Sequence, residues 1–188
     1  MARSSLRYVA RGSKQVLADT YTTSEKIEIF RRRFSGLLHV YGTYDPDTGR
    51  VRQVKETVTE RVILAHFTGR QPYGVYLLVK DRTKALAVDF DRDDIGQPVA
   101  FVDTAYKYGM AAYIERSKSK GYHVWIFFPD NGVSAHKARL VAKKILVDIH
   151  SDGIEIFPKQ DALDNQNNYG NFINAPLFAP LVTQGRTV

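Results

Sequence analysis

Residues 85–94 read ALAVDFDRDD, a hydrophobic run that ends in four acidic residues within six positions. In a β-strand the side chains at i and i+2 share a face. Asp89 and Asp91 therefore stand together, while Leu86, Val88 and Phe90 point the other way into a core. Two carboxylates held side by side repel and raise each other's proton affinity. The pair makes physical sense around a cation, or with one member protonated, and hard oxygen donors suit Mg²⁺ or Mn²⁺. A second D-x-D, Asp45 and Asp47, sits in the turn DPDTG, where Asp has a sufficient local reason to occur.

The stretch ERSKSKGYHVWIFF (115–128) crowds Arg116, Ser117, Lys118, Ser119 and Lys120 into one loop before Gly121. Hydroxyls, cationic side chains and backbone N–H groups gathered in this way can surround a phosphate. An exposed basic hairpin tip would read the same. His123 opens the next strand and could reach the same anion, although a lone histidine is more often a half-buried one bonded to a neighbour. In IEIFPKQD (154–161) Glu155 alternates with apolar residues and needs a cation, either a metal or Lys159. Asp161 and Asp164 are rival carboxylates in a polar loop. GNFINAP (170–176) offers Asn171 and Asn174 beside a glycine, able to bond a sugar or simply to form a turn.

The elements that must position these groups can be read from periodicity and punctuation. SEKIEIFRRRFSG forms a helix with Ser24 as N-cap and Gly36 as stop. LLHVYGTY and RVRQVKE form a hairpin across DPDTG. Residues 58–68 form a helix closed by Gly69. GVYLLV and ALAVDF are strands separated by a turn at Asp81–Arg82. PVAFVDTAYKYG is a helix with Pro98 in its first turn. MAAYIER and YHVWIFF are strands joined by the basic loop, and SAHKARLVAKKILVDIH is an amphipathic helix capped by Ser134. GIEIF is a short strand, and FINAPLF and GRTV begin others, the last of them reading as truncated. The alternation predicts an α+β fold with a mixed or antiparallel sheet.

The 188 residues carry 44% hydrophobic, 25% charged and 12% aromatic residues, which exclude a disordered chain. The absence of cysteine excludes disulfides and cysteine-ligated zinc and fits a reducing cytoplasm. No apolar run approaches the ~20 residues of a membrane helix, and no secretory segment opens the chain. The formal charge of +7 favours polyanionic partners.

The order of acid pair, basic loop with histidine, then a later acid resembles the archaeo-eukaryotic primase superfamily. The likeness is closest to the primase-polymerases of mobile elements, phages and CRISPR-associated systems. It is carried by GVYLL…LAVDFD, IERSKSKGYHVWIFF, AHKARLVAKKIL, FPKQD and GNFINAPLF, from about Glu60 onward. The resemblance implies two packed α/β modules, approximately 1–70 and 71–188, the second RRM-like, with the active site in the cleft between them. It further implies template-directed nucleotidyl transfer with two Mg²⁺ or Mn²⁺ ions held by Asp89, Asp91 and Glu155, Asp161 being the rival third acid. Arg116, Ser117, Ser119, Lys120, His123, Lys159 and Asn171 would bind the nucleotide. Single-stranded DNA template, a primer and dNTP or NTP substrates are the implied partners, with further domains or partner proteins beyond Val188. Many relatives place serine two residues before the histidine, where this chain has Gly121, so which serine meets phosphate stays open. A metal-dependent nuclease and a catalytically idle RRM-like nucleic-acid binder are the competing readings.

Overall fold

The computed structural model describes residues 21–164 and 168–188. Helix α1 (Thr23–Arg33) starts at a capping box: the Thr22 side chain accepts from the Glu25 N–H, and the Glu25 carboxylate accepts from the Thr22 N–H. Thr22, not Ser24, is therefore the N-cap, because only a residue three before an acid can close this reciprocal pair. The helix ends before Gly36, whose lack of a side chain serves a different need. A Cβ there would stand 1.8 Å from the Tyr76 carbonyl oxygen.

Strands β1 (Tyr41–Tyr44) and β2 (Val51–Val54) form the expected hairpin. The Asp45 carboxylate accepts from the N–H groups of Asp47 and Thr48 and so shapes its turn. Helix α2 (Glu60–Phe67) closes at Gly69 in a Schellman arrangement: Gly69 N–H bonds the His66 carbonyl and Arg70 N–H that of Ala65. The run GVYLLV does not form one strand. It divides into β3 (Gly74–Val75) and β4 (Leu78–Val79), which belong to different sheets. The turn after β4 lies at Lys80–Asp81, one residue earlier than expected, and leads into β5 (Arg82–Thr83).

The remaining elements are β6 (Ala85–Phe90), α3 (Gly96–Lys107), β7 (Ala112–Arg116), β8 (Tyr122–Phe127), β9 (Val133–Ser134), α4 (Ala135–Asp148), β10 (Glu155–Phe157), β11 (Ile173–Asn174) and α5 (Ala179–Val182). Ser134 caps α4 through its side chain. GRTV forms no assigned strand, yet the Thr187 carbonyl accepts from the Arg116 N–H on β7.

Among the described residues three sheets form, and every strand pair is antiparallel. The first has the order β11-β3-β1-β2, the second β10-β6-β8-β7, and a small third β4-β5-β9. The first sheet thus takes its fourth strand from residues 173–174, far beyond position 70. The second sheet is built from β6-α3-β7-β8-α4-β10, a β-α-β-β-α-β succession.

One face of this second sheet carries Leu86, Val88, Phe90, Val124, Ile126 and Ile156 into a core with Phe101 of α3 and Ile145 of α4. The other face sends Ala85, Ala87, Trp125 and Phe157 into a shared core with Phe30 of α1 and Phe34 just after it, Ile63 of α2, Val75 of β3 and Tyr73 just before that strand. Each fully buried large side chain here contributes roughly 1.5–3 kcal/mol. The interior between the sheets is thus one hydrophobic unit fed from both ends of the chain. No helix among the described residues is long and apolar enough to cross a membrane.

Candidate active site

Strand register assembles the site. Asp89 on β6 lies opposite Glu155 on β10 and opposite His123 on β8, and His123 lies opposite Glu115 on β7. Directly paired antiparallel residues share a face and stand close together. Glu155, Asp89, His123 and Glu115 therefore form one row across all four strands. The next row on this face is Phe157, Ala87, Trp125 and Tyr113, three rings and a methyl group that make an apolar base beneath the charges. Asp91 follows just past the end of β6, and its charge is felt by both Asp89 and His123.

Glu115 is the residue that sequence reasoning passes over. It is 5% exposed. One of its oxygens, Oε2, accepts from His123 Nδ1 at 2.9 Å and from the Trp125 indole N–H at 2.6 Å. An ionised carboxylate only accepts, so the proton between them belongs to Nδ1. The opposite nitrogen, Nε2, stands 3.6 Å from Asp89 Oδ1. Burial by itself would push the imidazole pKa down. The Glu115 charge and hydrogen bond, joined by the charges of Asp89 and Asp91, prevail and hold it above its ordinary value. The two ring nitrogens of His123 thus face two carboxylates, Glu115 at Nδ1 and Asp89 at Nε2.

Asp89 carries the opposite imbalance. Its side chain is 23% exposed. Burial, then the charges of Asp91, Glu155 and Glu115, raises its carboxyl above the ordinary range against the opposing pull of His123. Among the described residues no donor stands within hydrogen-bond distance of its oxygens. Glu155 is half exposed, at the mouth of the row, and accepts from Lys159 Nζ at 2.7 Å. Lys159 also lies 5.0 Å from the centre of the Phe157 ring.

The basic hairpin 117–120 is held tightly at its base. Ser117 N–H bonds the Gly121 carbonyl, and the Ser117 hydroxyl donates to the Lys120 carbonyl at 2.6 Å. Gly121 has φ +79, and a Cβ there would stand 1.9 Å from the Phe90 carbonyl oxygen. Glycine is required at this position because the hairpin rests directly on the backbone between Asp89 and Asp91. Lys118 sets its ammonium 3.9 Å over the Tyr44 ring of β1, and burial lowers its pKa. Ser119 and Lys120 are exposed at the tip. Arg116 pairs with Asp93 at 3.4 Å, tying the hairpin to the acidic loop.

The other expected positions lie apart from the row. Asp161 accepts from His136 Nδ1 at 2.8 Å and pairs with Arg139 Nε at 2.9 Å, both on α4. The His136 bond first, and then the Arg139 charge, hold its carboxyl below the usual range. Asn171 accepts from the Gln160 amide at 2.8 Å.

Over residues 47–188 the chain matches the model of the archaeo-eukaryotic primase domain of TOTE conflict systems. The chain belongs to this primase domain family. No curated protein sequence matches it. In fold the primase domain is similar to the polymerase domain of Mycobacterium tuberculosis ligase D, whose structure was solved in complex with DNA. The TM-score is 0.51 at 13% identity, over 84% of this chain and 76% of that one. The family and this fold place the domain among primase- and polymerase-type nucleotidyltransferases at the superfamily level.

That superfamily uses divalent metals, and the donor set here can be tested against them. Among the described residues no three acidic or histidine side chains converge into a closed cage. Asp89 and Asp91 fit an open site instead. Asp89 is half-buried, without a donor at hydrogen-bond distance and repelled by the charges of Asp91, Glu155 and Glu115, with Asp91 exposed beside it; a hard cation relieves such a condition. Mg²⁺ in particular binds through one or two carboxylates and completes its shell with substrate phosphates and water.

Proposed function

We propose that the domain is a DNA primase-polymerase that adds nucleotides to a primer, or starts one, on a single-stranded DNA template. The observation that carries this reading is the row Glu155–Asp89–His123–Glu115, which sets an acidic cluster beside a buried histidine at the foot of a basic hairpin. Asp89, Asp91 and Glu155 are the proposed ligands, Glu155 leaving Lys159 to take part. Mg²⁺ or Mn²⁺ bound there would neutralise the triphosphate and ease ionisation of the attacking 3′-hydroxyl.

The chain's own residues supply positioning and charge, which dominate phosphoryl transfer. His123, fixed by Glu115, presents Nε2 toward the space in front of Asp89 as a donor to phosphate. Arg116, Ser119 and Lys120 approach from the hairpin, while Ser117 braces that loop from within. Lys159, bonded to Glu155 at the other end of the row, is the proposed further phosphate contact, and Asn171, apart from the row, the proposed contact to the sugar. The apolar row beneath excludes water and strengthens each of these interactions. The remaining positive surface follows the template backbone without sequence preference. The ligase D polymerase domain, solved with DNA, supports DNA as the nucleic acid. A sheet-face RNA binder fits less well, because such domains display their aromatic residues, whereas Trp125 is 0% exposed beneath the edge of Phe34.

The test is incubation with single-stranded template, labelled nucleotides and Mn²⁺, with and without a primer, for the parent, Asp89→Asn and His123→Ala. The expected result is product growth in the parent and none with Asp89→Asn. For His123→Ala, nucleotide affinity should fall roughly tenfold to a hundredfold, the worth of a hydrogen bond to a charged group. Degradation of the template without added nucleotide would establish a nuclease instead. Turnover of Asp89→Asn at the parent rate would remove the acid pair from the mechanism.

A further inference from the structure

The hairpin is gripped from behind by the C-terminal residues, and the grip has a local sequence cause. Helix α5 ends in a Schellman motif in which Gly185 N–H bonds the Val182 carbonyl and Arg186 N–H bonds that of Leu181. Gly185 takes φ +71, a left-handed conformation that glycine adopts at little cost. This turn sends Arg186 toward the second sheet. Its guanidinium Nη1 donates to the Ser117 carbonyl at 2.7 Å, and one residue later the Thr187 carbonyl accepts from Arg116 N–H at 3.1 Å. The tail therefore holds the hairpin where β7 ends. On the other flank Lys118 reaches across to Tyr44 of the first sheet, and Arg186, Lys118, Tyr44 and Glu115 all border one small cavity.

We infer that Arg186 is a positioning residue for the nucleotide pocket: by holding the Ser117 carbonyl it fixes the orientation of the basic hairpin relative to the Asp89 row. The peptide between Ser117 and Lys118 is planar, with its C=O and N–H pointing in opposite directions. Fixing the carbonyl on the tail side therefore sets the Lys118 N–H on the other side and sets the path of the two residues that follow. Ser117 uses its own N–H and hydroxyl to close the loop. Those bonds fix the hairpin's shape. Arg186 fixes its placement, through a charge-assisted bond to a carbonyl that the internal closure does not use. Arg186 itself touches neither the acids nor His123. This assignment rests on the proposed nucleotidyl transfer, while the grip itself is a statement about structure alone.

The test compares parent, Arg186→Ala and Arg186→Lys, all first shown by thermal melting to be folded. Native trypsin reads the grip without reference to activity, because Arg116, Lys118 and Lys120 are its cleavage sites. Arg186→Ala should be nicked within 116–120 several-fold faster than the parent, and Arg186→Lys at an intermediate rate. Nucleotide incorporation with Mn²⁺ reads the consequence: KM for nucleotide should rise roughly tenfold in Arg186→Ala, the worth of one charge-assisted hydrogen bond, with kcat nearly unchanged and part of the loss recovered by lysine. Unchanged nicking overturns the grip. Accelerated nicking with an unchanged KM overturns the positioning role. A parent that incorporates no nucleotide overturns the proposed function and the positioning role with it, and leaves the grip to be decided by trypsin.

Discussion

At the residue scale the site is organised around a buried carboxylate that faces inward. Glu115 satisfies two donors with one oxygen. Truncation to alanine leaves both the His123 Nδ1–H and the Trp125 indole N–H unpaired in the interior. Glu115→Ala should therefore lose about 2–4 kcal/mol of stability in urea unfolding, and Glu115→Gln, which keeps an acceptor for the indole, less than half as much. Equal losses for the two variants would mean that packing, not hydrogen bonding, is what Glu115 supplies. The face Asp89 occupies was legible in the sequence because alternation is a local property: Leu86, Val88 and Phe90 declare the face that Asp89 does not share. Glu115 was hidden. In AYIER it reads as an ordinary charge near a strand end, and only pairing with β8 reveals that it shares a face with His123 and Trp125. The one available signal was Ile114 beside it, whose inward reading puts Glu115 and Tyr113 on the face of the acids. Glu155 misleads in the opposite direction: its apolar neighbours promise burial, but it starts its strand and lies half exposed against Lys159.

At the element scale helix ends were easier to read than strand ends. Gly69 and Gly109, at the ends of the helices read from the sequence, occupy the left-handed position and allow the two following backbone bonds; Gly185 does the same after α5, a helix the sequence reading did not place. Helix α4 ends in the same way: His150 N–H bonds the Val147 carbonyl and Ser151 N–H that of Leu146. Here, however, a histidine adopts φ +54, which costs an L-residue about 1–2 kcal/mol. His150→Gly should raise stability by about 0.5–1 kcal/mol after the added unfolded-state entropy of glycine is deducted. For a chain of this size that is a melting-point gain of about 1–4 °C, measurable by calorimetry. No gain would indicate that the imidazole makes a compensating interaction. Strands were read less well because their limits depend on distant partners. GVYLLV looks continuous, yet its two halves pair with different sheets, and LLHVYGTY becomes a strand only from Tyr41.

At the scale of the whole molecule one buried histidine links the C-terminal segment to α2. His66 accepts the Tyr73 N–H at Nδ1 and donates from Nε2 to the Pro176 carbonyl, an arrangement that requires the neutral ring. Burial pushes its pKa down to about 4, against a smaller opposing effect of the Pro176 bond. An unfolded histidine takes up its proton near 6.5, so between these values the unfolded chain binds more protons than the folded one. The contribution is fully present above pH 6.5 and is lost as the pH falls towards 4, to a total of about 3 kcal/mol. Urea midpoints measured from pH 7.5 to 4.5 should fall in the parent and fall less steeply in His66→Gln; parallel curves would place the acid sensitivity elsewhere. The passage of the chain that His66 secures also governs the order of assembly. Strand β3 finds one neighbour, β1, nearby in sequence, but the other, β11, follows only after residues 76–172. During synthesis the second sheet can pair throughout while β3 still presents an unpaired edge, the kind of surface on which chains associate wrongly. A chaperone that shields edges would therefore act on residues 74–75 until residues 173–174 have been synthesised and can pair with them. The first sheet to leave the ribosome is the last to close.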